Sequence, residues 1–447
     1  MIERYKLYYR LFLTIFWIET CFGFVAEELL PFIEPLRNVL FLLCDVATLV
    51  LGLLTMRKRG DLAVFISFFV LAILSTVIVN GESWLTMLNG SRDFFGLILA
   101  IPIMRWFFLH ERSAEFKRSM IKQLKIWMWL QAFCVTEQFI RYGANDHGGG
   151  TMGFGASGMT SMMIYLVSFF LVTRNWDSDN YFNSLRKNWI YVFLLFPSFL
   201  NETKVSFILL ALYFILLIKY DRKLIVRLAI ILPVSVAAFI GLGNIYLNVT
   251  QQEADKVLSM DFVEEYFYGI DLEHMIDVAI MVQEGDIEID PRDWWAVDIP
   301  RIAKLALIMP ELRECNGGVW LGAGVGQFKG GSIVKETRFA QYNGWLLQGS
   351  RPWLFFMLTQ LGLIGVVWYL VVIVYEIRVR RSKRPFSNRI QFYLAACLAI
   401  ILLYNDSMRI FNFCVMMFFF TLMLRYYSED DGAKSQNSAE NQQLTIS

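Results

Sequence analysis

Long apolar runs recur along the chain, separated by short polar connections, and they are too long and too evenly spread to form one water-soluble core. A membrane span needs roughly 20 apolar residues to cross about 30 Å of hydrocarbon. Windows that meet this test cover 8–26, 36–55, 62–80, 93–110, 121–140, 157–173, 188–201, 205–219 and 224–243. After a long polar gap come 352–377, 389–404 and 408–426. The seventh and eighth windows are short and flank Asn201-Glu202-Thr203-Lys204, which reads as a tilted or broken pair. The first run lacks a small-residue cleavage motif and reads as a retained span.

Charge gives an independent check on that count, because Lys and Arg concentrate on the cytoplasmic side of membrane proteins. Alternate connections carry Arg57-Lys58-Arg59, then Arg112, Lys117, Arg118, Lys122 and Lys125, then Arg186-Lys187, then Lys219, Arg222 and Lys223, then the run 378–384. The N-terminus (Arg4, Lys6, Arg10) joins the same set. Twelve spans with both termini cytoplasmic put every basic cluster on one side. The expected architecture is therefore an all-α membrane protein: nine helices in 1–243, a large, mainly helical outer loop in 244–351, three helices in 352–427 and a disordered cytoplasmic tail in 428–447. The loop holds 17 acidic and 9 basic residues, a balance that long translocated loops tolerate.

Composition agrees with the spans. The chain is 56% hydrophobic and 18% charged, with a mean hydropathy of +0.48; soluble proteins carry about 25% charged residues. The basic residues lie in short patches, which gives no nucleic-acid surface. Five of the six cysteines sit in apolar runs and only Cys315 falls in a polar stretch, so no loop disulfide is expected. His110, His147 and His274 are far apart, and no spacing suggests a metal site. No cofactor is expected.

Candidate chemistry lies on the outer face, where isolated cations stand against the charge bias: Arg92, Lys204, Arg338, Arg351 and Arg409. Guanidinium matches phosphate oxygens; the plainer alternative is that such residues snorkel to head groups. Arg105 reads as a snorkelling residue, and the intramembrane ionisable groups read as few: Glu19, Arg105 and Glu137. Two glycine-rich stretches also face outward, 148–155 with Gly153 and 321–328 with Gly324 and Gly326, where backbone could approach a ligand closely.

In layout and in several local stretches the chain resembles the bacterial O-antigen polymerase and O-antigen ligase superfamily, integral membrane glycosyltransferases. The stretches are Gly90-Ser91-Arg92-Asp93-Phe94, Gly150-Thr151-Met152-Gly153-Phe154, Glu202-Thr203-Lys204-Val205-Ser206, the Gly322–Phe328 turn, and Ser350-Arg351-Pro352-Trp353-Leu354 leading to Thr359-Gln360-Leu361-Gly362. Ligase members usually place a His-Asn pair before the last of these, with a Glu where Gln360 stands. This chain has Arg351-Pro352 there, which leans toward the polymerase branch.

The resemblance implies a GT-C-like bundle in a bacterial inner membrane with the large loop periplasmic. It also implies a metal-independent transfer of a growing O-antigen or capsule glycan from undecaprenyl diphosphate onto a lipid-linked repeat unit. Arg351, Lys204 and Arg92 are then the catalytic candidates, with Arg338 and Arg409 binding the diphosphate. Glu202, Asp406 and His147 are candidate bases, and Gly153, Gly324 and Gly326 would line the glycan. A chain-length regulator and a flippase are the expected partners. A ligase, a lipid-oligosaccharide flippase or other transporter, and a non-catalytic scaffold remain open readings.

Overall fold

The computed structural model describes residues 2–143, 148–174, 176–177, 180–200, 205–218, 276–278, 280–281, 299–328, 334–347, 349–378 and 385–426. Every regular element among them is a helix. The first helix, α1 (Ile2–Phe24), runs on through a π turn at Val25–Leu29 and is stopped by Pro31, whose missing N–H ends the ladder. Next come α2 (Glu34–Thr55) and α3 (Arg59–Ala72), the latter extended by a π segment to Val79. The Ser83 hydroxyl accepts the Thr86 N–H at 3.0 Å and caps α4 (Trp84–Leu109). Beyond it lie α5 (Ser113–Tyr142) and α6 (Ser157–Thr173).

The window at 188–201 is broken rather than continuous. After α7 (Tyr181–Lys187) it forms α8 (Trp189–Phe193) and α9 (Pro197–Leu200), with Pro197 interrupting the bond pattern between them. The eighth window is α10 (Val205–Leu217). The ninth, at 224–243, lies outside the described residues, as do 244–275 of the large loop and the tail from 427. Among the described residues of the loop lie α11 (Arg301–Glu314), α12 (Gly318–Leu321) and α13 (Arg338–Leu347). The chain then forms α14 (Trp353–Ile377), α15 (Pro385–Tyr404) and α16 (Phe411–Tyr426).

Among the described residues, five helices are long and apolar enough to cross a membrane: Glu3–Leu29, Pro31–Thr55, Arg59–Val79, Trp353–Ile377 and Ser387–Tyr404. Shorter apolar helices cover Ser157–Thr173, Trp189–Leu200, Ile208–Leu217 and Phe411–Tyr426. Burial follows position in the bundle. Residues 93–108 of α4 are all buried, packed through Phe94, Phe107 and Phe108 against aromatic rings of α1, α5, α14 and α16. By contrast α2 and α3 leave Leu42, Leu43, Val46, Ile66 and Val70 exposed. Apolar faces of that kind suit hydrocarbon rather than water.

Side-chain contacts define two ends. At one, Tyr5 stacks near Trp106 and His110, Arg389 donates to the Leu217 carbonyl at 3.2 Å, and Tyr426 stacks on Phe108. The described Lys- and Arg-rich connections, 56–58 and 110–125, belong to this end. The opposite end gathers the C-terminal half of α1, the N-terminal halves of α2 and α4, the 148–156 segment and residues 404–411.

Candidate functional site

A cavity of about 570 Å³ opens at the end away from the basic connections. Its walls carry the guanidiniums of Arg37, Arg92 and Arg409, the carboxyls of Glu19, Glu34, Asp45 and Asp93, and the rings of Phe41, Phe95, Phe154 and Phe411. Polar groups in a chain this apolar need partners, because an unpaired charge out of water is costly. Two of the arginines have carboxylate partners. Arg92 donates from Nε to Asp45 Oδ2 at 2.6 Å, with Nη2 at 2.5 Å from the same oxygen, and from Nη1 to Asn89 Oδ1 at 3.2 Å. Arg37 pairs with Glu27.

Arg92 lies more than two turns inside α4 and not in a loop at a span start, which corrects the sequence expectation. The helix reaches back to Ser83, and the Asp45 carboxylate makes a charged residue tolerable at that depth. Asp45 stands ten residues before the end of α2, about 15 Å along the axis at 1.5 Å per residue, so the pair sits near mid-bundle.

A second group of cations adjoins the first. Asp406, buried in the turn between α15 and α16, lies 3.4 Å from Arg409 and 3.8 Å from Arg351. Asp406 and Asp93 are the acidic groups that face the Arg409 guanidinium. Arg351 also donates to the Leu347 carbonyl at 2.9 Å and covers the Phe328 ring at 4.9 Å; Phe328 stacks on Phe356, over which Arg409 lies at 5.9 Å. Gly96 of α4 lets the 409–411 backbone approach closely: a Cβ there would sit 3.0 Å from the Arg409 carbonyl oxygen.

Of the residues expected at the site, Arg92, Arg409, Arg351 and Asp406 come together. Arg338 instead faces Glu82, whose carboxyl is pushed up by burial and opposed by that arginine. Lys204, Glu202 and His147 lie outside the described residues.

The glycine stretches lean on protein. In the first, the Gln138 side chain accepts the Gly150 N–H at 2.8 Å and Gln131 accepts that of Thr151 at 3.1 Å. Glu27 accepts the Phe154 N–H, and a Cβ on Gly153 would overlap the same carboxylate. In the second, the Val325 N–H donates to Thr76 Oγ1 at 2.7 Å and the Gly326 N–H to Gln360 Oε1 at 2.8 Å. Gly326 lies against Gly90 and Thr86 of α4, and Gly324 against Thr76. Amides offered to a ligand in the sequence reading are thus taken by side chains, and the close approach is turn to helix.

Two further expectations change. Arg105 does not snorkel: it is 5% exposed and bonded to both Asp61 and Glu376. Intramembrane ionisable groups are also more numerous than Glu19, Arg105 and Glu137, since Asp45, Asp61 and Glu376 belong with them. Among the described residues no group of three or more His, Cys, Asp or Glu is arranged to hold a metal ion.

Comparison of the sequence with protein-family models and with curated proteins finds no match.

Proposed function

We propose that this chain is a polysaccharide polymerase of a bacterial inner membrane, with twelve spans, cytoplasmic termini and a periplasmic large loop. It transfers a growing glycan from undecaprenyl diphosphate to a lipid-linked repeat unit. The observation that carries the reading is the convergence of Arg92 and Arg409 on one cavity at the end of the bundle remote from the Lys- and Arg-rich connections. Asp45 and Asn89 engage three of the five N–H donors of Arg92, which fixes the guanidinium while leaving donors for phosphate oxygens.

In the proposed step an acceptor hydroxyl oxygen attacks the anomeric carbon of the donor sugar. The bond from that carbon to the phosphate oxygen breaks, and its electron pair leaves on the diphosphate. Fixed cations near the developing charge stabilise it. Arg92 and Arg409 take this role, with Arg351 held beside them through Asp406. The hydroxyl proton needs a carboxylate not already neutralised by an arginine. Asp406 is a poor base on that ground, since two guanidiniums face it. Glu19 and Glu34 line the cavity and form no ion pair among the described residues; Glu34 is exposed at the start of α2, and we assign the proton to the less exposed Glu19.

A carrier for an anionic lipid-linked solute is the second reading, favoured by one observation: the Asp45–Arg92 pair stands near mid-bundle, where carriers place their charges. Deleting the gene and resolving surface glycan on a gel separates the two. A polymerase defect leaves single repeat units attached at the cell surface, whereas a carrier defect retains them on the cytoplasmic face.

A further inference from the structure

At the opposite end of the bundle α2, α3 and α4 enclose a second, smaller pocket of about 140 Å³, room for one tetrahedral anion or about four waters at ~30 Å³ each. Its charge balance is the reverse of the large cavity's: Arg57, Lys58 and Arg105 against Asp61 alone. Arg105 is fixed by its bonds to Asp61 and Glu376, and its Nε is buried with no hydrogen-bond partner among the described residues. Arg57 lies over the Trp106 ring at 5.9 Å, held by a cation–π contact that leaves its N–H fork unspent on carboxylate. His110, also in the wall, accepts the Arg112 N–H on Nδ1 at 3.2 Å, so the ring proton sits on Nε2 as a donor. Leu109 gives the rim an apolar edge and is about half exposed.

We infer that this pocket binds a phosphate-type anion, and that the anion is the headgroup of an anionic phospholipid whose acyl chains run along the leucine rim. Donor-bearing side chains line a space of phosphate size, and Leu109 at its edge suits hydrocarbon. A free inorganic phosphate shares the headgroup chemistry but has no use for the rim. The inference is independent of the polymerase reading, because the pocket and the catalytic cavity are lined by different residues and its test needs no turnover.

The test uses the full-length protein in phosphatidylcholine nanodiscs doped with phosphatidylglycerol, and counts retained phosphatidylglycerol by native mass spectrometry. A hydrogen bond to a charged group in an enclosed site is worth about 1.5–3 kcal/mol, so Arg57→Ala/Lys58→Ala weakens retention on the order of a hundredfold. The charge-matched Arg59→Ala/Lys122→Ala, which removes exposed residues away from the pocket, leaves retention unchanged. His110→Ala keeps the charge of the 56–58 connection and lowers retention by a smaller factor, which covers the case in which the double variant fails to insert. Binding of inorganic phosphate in phosphatidylcholine discs, with no preference for phosphatidylglycerol, keeps the anion site and overturns the lipid assignment. Equal loss in the matched control, or no loss in any pocket variant, overturns the site.

Discussion

Gly326→Ala perturbs the contact between the 322–328 turn and the helix that carries Arg92. Gly326 has φ +105°, and an added Cβ would overlap the Thr86 carbonyl oxygen and approach Thr86 Cγ2 to 2.9 Å. Backbone strain at such a φ costs about 1–3 kcal/mol, and forcing atoms into a filled space adds about 1–3 kcal/mol. The backbone of α4 cannot yield as a side-chain tip would, so the sum is about 2–6 kcal/mol. Gly81→Ala is the control: φ there is +69°, but nothing lies within 4 Å of the added Cβ, leaving only about 1–2 kcal/mol of backbone cost. Heating the detergent-solubilised proteins and following the surviving monodisperse fraction by size exclusion compares them directly. Gly326→Ala should lose its fold well below the wild-type midpoint, with Gly81→Ala close to wild type. Equal midpoints for the two variants would refute the turn-to-helix packing inferred around 322–328.

Four other outcomes follow from the same geometry. Glu19→Gln and Arg92→Ala should each abolish glycan polymerisation, scored as loss of the surface ladder, with protein abundance unchanged. Arg351→Ala should do the same, and the family resemblance extends that expectation to Lys204→Ala. Arg105→Met leaves Asp61 and Glu376 buried together without their cation and should cost about 3–5 kcal/mol; adding Asp61→Leu and Glu376→Leu should restore most of the thermal midpoint. Burial pushes the Cys315 thiol up to about 11. In a variant with Cys315 alone retained, maleimide labelling at pH 8 should run roughly a hundredfold slower than for an ordinary thiol of pKa about 8.5.

Hydropathy averaged over a window makes apolar helices legible and hides what lies inside them. The runs at 36–55 and 62–80 foretold α2 and α3, yet the same averaging concealed Asp45, the one acid in the 36–55 run. Its meaning is long-range: only folding brings it to Arg92, 47 residues away in sequence. Arg92 was seen but placed at a helix start, because the polar stretch 89–93 looks like a connection until Asp45 is known to satisfy it. Arg105 was read as snorkelling for the same reason, since Glu376 is 271 residues distant. The glycines were legible as sites of close approach. What approaches them, α4 and the amide side chains of Gln131, Gln138 and Gln360, depends on tertiary packing that no local pattern encodes. Of the five cations that the sidedness of Lys and Arg singled out, Arg92, Arg351 and Arg409 come together, whereas Arg338 faces Glu82 and Lys204 lies outside the described residues.

The central claim is that the cavity containing Arg92, Arg409 and Glu19 joins lipid-linked glycans. Purified protein in liposomes, supplied with undecaprenyl-diphosphate-linked repeat units, tests it most directly. The account predicts oligomers longer than one unit, with one undecaprenyl diphosphate released per linkage formed, and neither product from Arg92→Ala or Glu19→Gln. Repeat units that cross the bilayer unlinked, or an Arg92→Ala protein that polymerises as fast as wild type, would contradict it.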